Sequence, residues 1–256
     1  MSVAALILAG SRGGADPLAE YAGVADKALI EVGGETMLAR VIGALRAAGI
    51  ERIAVSASSQ AVAEATAALG ATPLDAAPGP SASARAGLDA LGAPLLLTTA
   101  DHALLRPEWV RQLLDLVPPD ADVAALLARR EAIRAAAPAT RRTYLRFADG
   151  DWSGCNLFYF ATPRAGAAVD LWRRVEADRK RPWRIVRLLG PGMLLSYLLG
   201  RLTLADAVAR LGRTAGVAVA IVAAEDGRAA IDVDKPGDLD LVREMVGDTS
   251  NSNRSP

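Results

Sequence analysis

The feature that most constrains this chain is the apolar run Val3 to Ala9, which breaks at once into Gly10-Ser11-Arg12-Gly13-Gly14. An uninterrupted apolar run of this length reads as a strand buried on both faces. A strand of that kind needs helices above and below it, so an α/β architecture follows. The glycines after it permit left-handed backbone and close approach to a ligand. Successive loop N–H groups there can form a concave anion site. Arg12 in the loop and Lys27 beyond it add positive charge, which suits a triphosphate. A glycine-rich turn without ligand is the alternative for the glycines taken alone.

The rest of the chain alternates strands and helices, which argues for a mostly parallel sheet covered by helices. Strands are expected at Lys27–Val32, Glu51–Ser56, Pro94–Thr99, Val123–Ala128, Thr143–Phe147, Asn156–Ala161, Val217–Ala223 and Ala229–Val233. Helices are expected at Thr36–Ala48, Ser59–Leu69, Ala84–Leu91, Pro107–Leu116, Arg164–Asp178 and Pro236–Val246, with two more between Arg179 and Leu211 broken at Gly190-Pro191 and Gly200. The stretch Arg129 to Arg142 is irregular. In open parallel sheets ligands bind beyond the carboxyl ends of the strands, where the Gly10 loop and the residues after Thr99 both fall. With 256 residues the chain is ample for a sizeable core, and only 4% of them are aromatic, so Ala, Leu and Val must build it.

Composition excludes several function classes. The 29 basic and 29 acidic side chains cancel, so no global field attracts nucleic acid, and no basic tract interleaved with aromatics suggests it. A single cysteine, Cys155, rules out an internal disulfide and a thiolate zinc cluster. It fits a reducing cytoplasm, and Cys155 reads as a packed, inert thiol. The start lacks a basic leader region. Ile185–Leu204 is interrupted by Arg187, Gly190, Pro191 and Arg201 and is not read as a transmembrane helix. Residues 247–256 are polar and read as a disordered tail.

Two acidic positions carry chemistry. Asp101 follows a buried strand and reaches the ligand edge of the sheet. In Ile231-Asp232-Val233-Asp234-Lys235-Pro236 the alternation puts Asp232 and Asp234 on one face of a strand end. Mg²⁺ takes hard oxygen ligands and combines one or two carboxylates with substrate phosphates, so Asp101, Asp232 and Asp234 are candidate metal ligands. Helix capping is the alternative for Asp101 and Asp234, and capping does not preclude metal binding. His102 reads as a supporting or surface histidine. Asn156 either hydrogen-bonds an acceptor or serves a turn. The basic cluster Arg173, Arg174, Arg179, Lys180, Arg181, Arg184 and Arg187 is a solvated helix face, an acceptor-phosphate site or, with its apolar neighbours, a membrane-surface segment.

The chain resembles the MobA-like NTP transferases, a group that includes molybdenum-cofactor guanylyltransferases and methylerythritol-phosphate cytidylyltransferases. The resemblance runs from Val3 to about Val246. It rests on Leu8-Ala9-Gly10-Ser11-Arg12-Gly13-Gly14, Lys27-Ala-Leu-Ile with Gly33-Gly34, Gly79-Pro-Ser-Ala-Ser83, Thr98-Thr99-Ala-Asp101 and Asp232-Val-Asp234-Lys-Pro-Gly-Asp238-Leu239.

It implies a three-layer α/β/α sandwich with a mostly parallel sheet, like the nucleotide-diphospho-sugar transferases, spanning residues 1–246, while the segment at about 179–211 is not a general mark of the family and reads as an acceptor-side or lid insertion. It implies Mg²⁺ and attack of a phosphate-bearing small-molecule acceptor on the α-phosphate of an NTP, with release of pyrophosphate. Carried over residue by residue, Leu8, Ala9, Gly10, Ser11, Arg12, Gly13, Gly14, Lys27, Ser83 and Thr99 would contact the nucleotide. Arg12, Lys27 and Asp101 would act in catalysis, and Asp101 and Asp234 would hold Mg²⁺ with Asp232 beside them; from the residues themselves, and not from the resemblance, Asn156, Arg181 and Arg184 are the candidates for the acceptor side. The sequence departs from the family's usual Gly-x-Gly-x-Arg-Met loop, and the spacing from loop to Lys27 is stretched by Ala15 to Val24. A nucleotide-sugar-dependent glycosyltransferase and an inactive NTP-binding module are the other functional readings.

Overall fold

A computed structural model describes residues 2–10, 16–178 and 190–247. The loop residues Ser11 to Ala15, the basic residues Arg181 and Arg184, and the tail from Asp248 lie outside the described residues.

Ala4–Ala9 forms β1, with Ala4 to Ile7 fully buried. It pairs in parallel with β4 (Ile53–Ala57) on one side and β6 (Leu95–Thr99) on the other. β4 pairs in parallel with β5 (Thr72–Asp75). β7 (Val123–Arg129) pairs in parallel with β10 (Val219–Ala223). The long β9 (Gly150–Phe160) runs antiparallel between β6 and β7, and β8 (Leu145–Phe147) folds back onto it as a hairpin. The order across the sheet is β10-β7-β9-β6-β1-β4-β5. Two residues each, Glu31–Val32 (β2) and Glu35–Thr36 (β3), make a separate small hairpin.

Side chains alternate along β1, so its two faces feed two cores. Ala5, Ile7 and Ala9 join Leu38, Val41, Ile42 and Leu45 of α2 (Met37–Ala47), Val62 of α3 (Gln60–Ala68) and Trp109, Val110 and Leu113 of α5 (Pro107–Leu116). Ala4 and Leu6 pack with Ala84 and Leu88 of α4 (Pro80–Leu91) and Ala165 and Val169 of α7 (Ala165–Ala177). Helices therefore cover both faces of the sheet, which is the three-layer α/β/α sandwich expected from the sequence. The remaining helices are α1 (Pro17–Ala22), α6 (Arg130–Ala136), α8 (Pro191–Leu198), α9 (Leu204–Ala215) and α10 (Pro236–Val246).

The structure corrects several local expectations. Lys27–Val32 is not one strand. Asp26 accepts the Ala28 N–H at 3.0 Å and starts a 3₁₀ turn, Lys27–Leu29, so only Glu31–Val32 is left extended in a ladder. Ala229–Val233 is not a strand either. Asp226 caps a 3₁₀ turn, Gly227–Ala230, and the residues after it bond to the Asp101 segment rather than to a neighbouring strand. The stretched spacing before Lys27 holds α1, capped by Asp16 on the N–H groups of Leu18 and Ala19 and closed by Gly23 at φ 70°. Asn156 does not begin its strand but lies inside β9.

Gly227 makes the closest approach of the 3₁₀ turn to α6. A Cβ at this position would collide with the backbone of Ala132 and Ile133, which cannot swing aside as a side-chain tip can. Gly227→Ala is expected to cost about 1–3 kcal/mol of stability, the usual range for overpacking. Urea unfolding checks this. An unchanged midpoint would show that the turn has room to shift.

Candidate active site

Four parallel strands, β1, β4, β5 and β6, end on the same side of the sheet. Beyond their carboxyl ends lies an open cleft of about 1940 Å³. Its lining includes Leu8 and Ala9 at the end of β1 with Gly10 after them, Lys27, Ser83, Thr99 at the end of β6, Asp101 beyond it, Asn156 and Asp234. The sequence therefore identified residues far apart in the chain that the fold brings to one cleft.

The centre of the site is Lys27. Its Nζ donates to Asp101 Oδ2 at 2.6 Å and lies 3.6 Å from Asp234 Oδ1. The 3₁₀ turn that carries Lys27 is held by the buried Asp26, which also accepts from Ser59 Oγ at 3.3 Å. Burial disfavours the charged Lys27, but Asp101 beside it outweighs that penalty and holds its pKa above the usual lysine value. Lys27 is therefore cationic at neutral pH.

Asp101 leaves β6 through a turn in which the Ala100 N–H bonds to the Leu8 carbonyl at 2.9 Å. The Asp101 carbonyl accepts the Val233 N–H at 3.0 Å. That single bond brings the two acidic segments together, although they are more than a hundred residues apart in sequence. Asp234 lines the cleft and its side chain is exposed. Burial, followed by the charges of Asp232 and Asp101, pushes its carboxyl above the usual range. Neither carboxylate caps a helix. Arg106 precedes α5 and Lys235 precedes α10, each without a side-chain cap bond. Asp238 instead accepts the Asp234 N–H at 3.3 Å.

Asp101 Oδ1 is buried and has no hydrogen-bond partner, and so are the hydroxyls of Thr98 and Thr99 beside it. A buried, unpartnered carboxylate oxygen costs free energy unless a ligand meets it. Among the described residues no group of three or more His, Cys, Asp or Glu side chains is arranged to hold a metal. Two carboxylates with space before them fit Mg²⁺, which keeps water or phosphate oxygens in its remaining positions.

Asp232 is placed differently from Asp234. It is 7% exposed. Arg142 grips both its oxygens, with Nη2 to Oδ2 at 3.1 Å, and Asn156 Nδ2 donates to Oδ2 at 2.6 Å. Asp232 and Asp234 thus do not share one exposed face, because no strand forms there to align them. Ser83 also turns inward. Its Oγ accepts the Ala77 N–H at 3.0 Å and donates to the Ala77 carbonyl at 3.3 Å, fixing the 77–83 loop at the cleft wall.

Glu176, Ser81, Asp26 and Arg142 were not singled out in the sequence. Glu176 of α7 accepts both the backbone N–H and the hydroxyl of Ser81 at the start of α4. Only Asp26 had a local signal, as a capping residue directly before Lys27.

His102 is buried and stacked on Trp109 with ring centroids 5.8 Å apart. Burial pulls its pKa down to about 4, so it is a neutral packing residue at neutral pH. Burial likewise pushes the Cys155 thiol up to about 12, which removes the thiolate needed for nucleophilic chemistry.

Comparison with known proteins agrees with this geometry. A hypothetical transferase from Thermus thermophilus superposes with a TM-score of 0.81 at 34% identity, covering 93% of this chain and 100% of that one. A CMP:2-keto-3-deoxy-manno-octonic acid synthetase complexed with CTP gives 0.60 at 17% identity, covering 96% and 99%. A 2-C-methyl-D-erythritol 4-phosphate cytidylyltransferase, also from Thermus thermophilus, gives 0.57 at 18%, covering 96% and 100%. At those identities the last two speak for the fold. No curated protein sequence matches the chain. Residues 5–154 match the MobA-like NTP transferase domain. With a matched region that carries the first glycine loop, Lys27 and Asp101, the chain belongs to the MobA-like NTP transferase family and is a nucleotidyltransferase.

Proposed function

We propose that this nucleotidyltransferase moves an NMP group from an NTP to a phosphate-bearing small molecule and releases pyrophosphate. The observation that carries the reading is the placement of Lys27 between Asp101 and Asp234 at the strand ends, beside the unpartnered Asp101 Oδ1. An oxygen of the acceptor phosphate forms a bond to the α-phosphorus, and the bond from α-phosphorus to the bridging oxygen breaks, that oxygen leaving with pyrophosphate. Such a reaction brings two anions together and needs positioning and charge neutralisation more than covalent help.

Lys27 supplies a fixed cation where the two phosphates meet, and the Gly10–Gly14 loop with Arg12 holds the triphosphate. Asp101 and Asp234 hold Mg²⁺, which when bound neutralises charge on the phosphates. Thr99 and Ser83 line the nucleotide end. Arg181 and Arg184 belong on the acceptor side, since the segment that contains them combines basic and apolar residues after the strand that carries Asn156. The cytoplasm supplies the NTP and keeps Cys155 reduced. No helix among the described residues is long and apolar enough to cross a membrane.

The test is a thermal-shift screen of the four NTPs with Mg²⁺, followed by product analysis with phosphorylated acceptors. A ligand at a hundred times its Kd raises stability by about 2.7 kcal/mol, so one NTP should shift the transition clearly and pyrophosphate should appear with acceptor. Release of a nucleoside diphosphate from a nucleotide sugar would replace this reading with glycosyl transfer. Stabilisation without any turnover would leave only a binding module.

A further inference from the structure

We infer that Arg142 is a positioning residue of this site. It acts through Asp232, with Asn156 as the second arm, and it fixes the segment that presents Asp234 to Lys27 and Asp101. The inference rests on the nucleotidyl-transfer reading for the reaction it serves, but its geometry is independent of that reading.

Arg142 comes from residues 138–144, which form no regular element between α6 and β8. Its guanidinium reaches across to Asp232, and the two side chains are 16% and 9% exposed. A forked contact of this kind fixes orientation as well as distance. Asn156 completes the grip. It is the one non-glycine residue with positive φ (48°) among the described residues. The strain has a structural setting, a register shift where β9 carries extra residues opposite Ala125–Leu127 of β7. Bulges of this kind re-aim side chains next to active sites, and this one aims the Asn156 amide at Asp232 Oδ2.

Both oxygens of Asp232 are thereby occupied. Three of its roughly four lone-pair sites are used, whereas Asp101 Oδ1 has no partner and Asp234 is exposed, with Lys27 Nζ 3.6 Å away. Ile231 and Val233, both buried, pin the flanks of the segment, and the Val233 N–H ties it to the Asp101 carbonyl. Arg142 also balances charge. Without it, Lys27 would be the one cation among the described residues paired with the carboxylates of this cluster, at Asp101 and Asp234. The site is thus a two-carboxylate site whose second member is set in place by a buried Arg–Asp–Asn unit.

The two roles open to Asp232 predict opposite signs. Mn²⁺ binding in the presence of CTP or GTP, followed by its electron paramagnetic resonance signal, separates them without requiring turnover. If Asp232 positions, Arg142→Met and Asp232→Asn each raise the half-saturating Mn²⁺ concentration by about tenfold, the scale of losing an outer partner of a ligand. The double variant is then no worse than either single one, because the two residues act as one unit. Arg142→Lys, which keeps the charge and loses the fork, falls between wild type and Arg142→Met and guards against a variant that merely fails to fold.

If Asp232 is itself a ligand, removing Arg142 frees it and tightens Mn²⁺ binding, which overturns the inference. Additive losses in the double variant overturn it as well. Wild-type protein that makes no pyrophosphate with any nucleotide would defeat the nucleotidyl-transfer reading, while the Mn²⁺ titrations would still decide the role of Arg142.

Discussion

Asp101→Asn is expected to lower turnover by about 10³-fold, the upper range for losing one preorganised charge contact at a reacting phosphate, with the fold intact. Asn retains the shape of Asp, so β6, the turn after it and the backbone bond from Val233 survive. What disappears is the negative charge on which Lys27 Nζ rests at 2.6 Å and the lone pairs of the unpartnered Oδ1. Lys27 would lose its principal neighbour and the cation one of its two carboxylates. Asp234→Asn should also be severe. Its distinguishing mark is a higher Mg²⁺ requirement, since its carboxyl is the more exposed of the two, and burial and the neighbouring carboxylates of Asp232 and Asp101 hold its pKa above the usual range. Steady-state rates across a Mg²⁺ titration, with circular dichroism as the fold control, make the comparison. Full activity in both variants at equal Mg²⁺ would remove the metal assignment.

The second large effect is expected at Lys27. Its ammonium is the cation held at the junction of both carboxylates, and Asp101 keeps it charged despite burial. Lys27→Ala leaves two phosphates to approach each other with one fewer fixed positive charge in a partly desolvated cleft. A fall in kcat of about 10²-fold or more follows from the loss of one electrostatic donor of this kind, with a smaller change in KM for the NTP. Lys27→Arg should rescue poorly, because a planar guanidinium cannot occupy the same point between Asp101 and Asp234. If Lys27→Ala kept its kcat and lost only thermal stability, the lysine would be an internal salt-bridge partner and nothing more.

Much of this arrangement was legible in the sequence because it is local. Val3 to Ala9 is apolar at every position, so β1 could only be buried. The helix Pro107–Leu116 carries its own start signal in Pro107 and matched residue for residue, as did Pro236–Val246. Asp101 was visible because it follows the buried strand β6 at the ligand side, whereas Lys27 and Asp234 were visible as charges beside the glycine loop and in an Asp-x-Asp pair, and the strands expected around them do not form.

What was not legible depends on contacts across the chain. No local pattern announces that β9 runs antiparallel between two parallel neighbours, since its apolar residues would serve either direction. Nor does anything near Asp232 announce Arg142, ninety positions earlier in an irregular stretch. The pairing exists only because β9, the 138–144 segment and the turn before α10 converge. Alternation suggested that Asp232 and Asp234 look the same way, and the 3₁₀ turn at Gly227–Ala230 removed the strand on which that inference depended.

The interposed β9 also sets the order in which the molecule can be completed. β7 has no ladder to β6. Among the described residues the block β5-β4-β1-β6 and the pair β7-β10 are joined edge to edge only through β9. A nascent chain that has made β1 to β7 holds two open sheet edges facing an empty slot, and neither can close until residues 150–160 arrive. The strand that fills the slot brings Asn156 with it, and the grip on Asp232 must wait still longer for the last turn of the chain. In order of synthesis, the strands of the sheet are therefore complete at Ala223, before Asp232 and Asp234 emerge. A population stalled between the two events would carry a paired sheet and most of the native secondary structure while the Asp234 segment, with its core residues Ile231 and Val233, remained unanchored, a species that circular dichroism would count as largely folded and a cation titration would not.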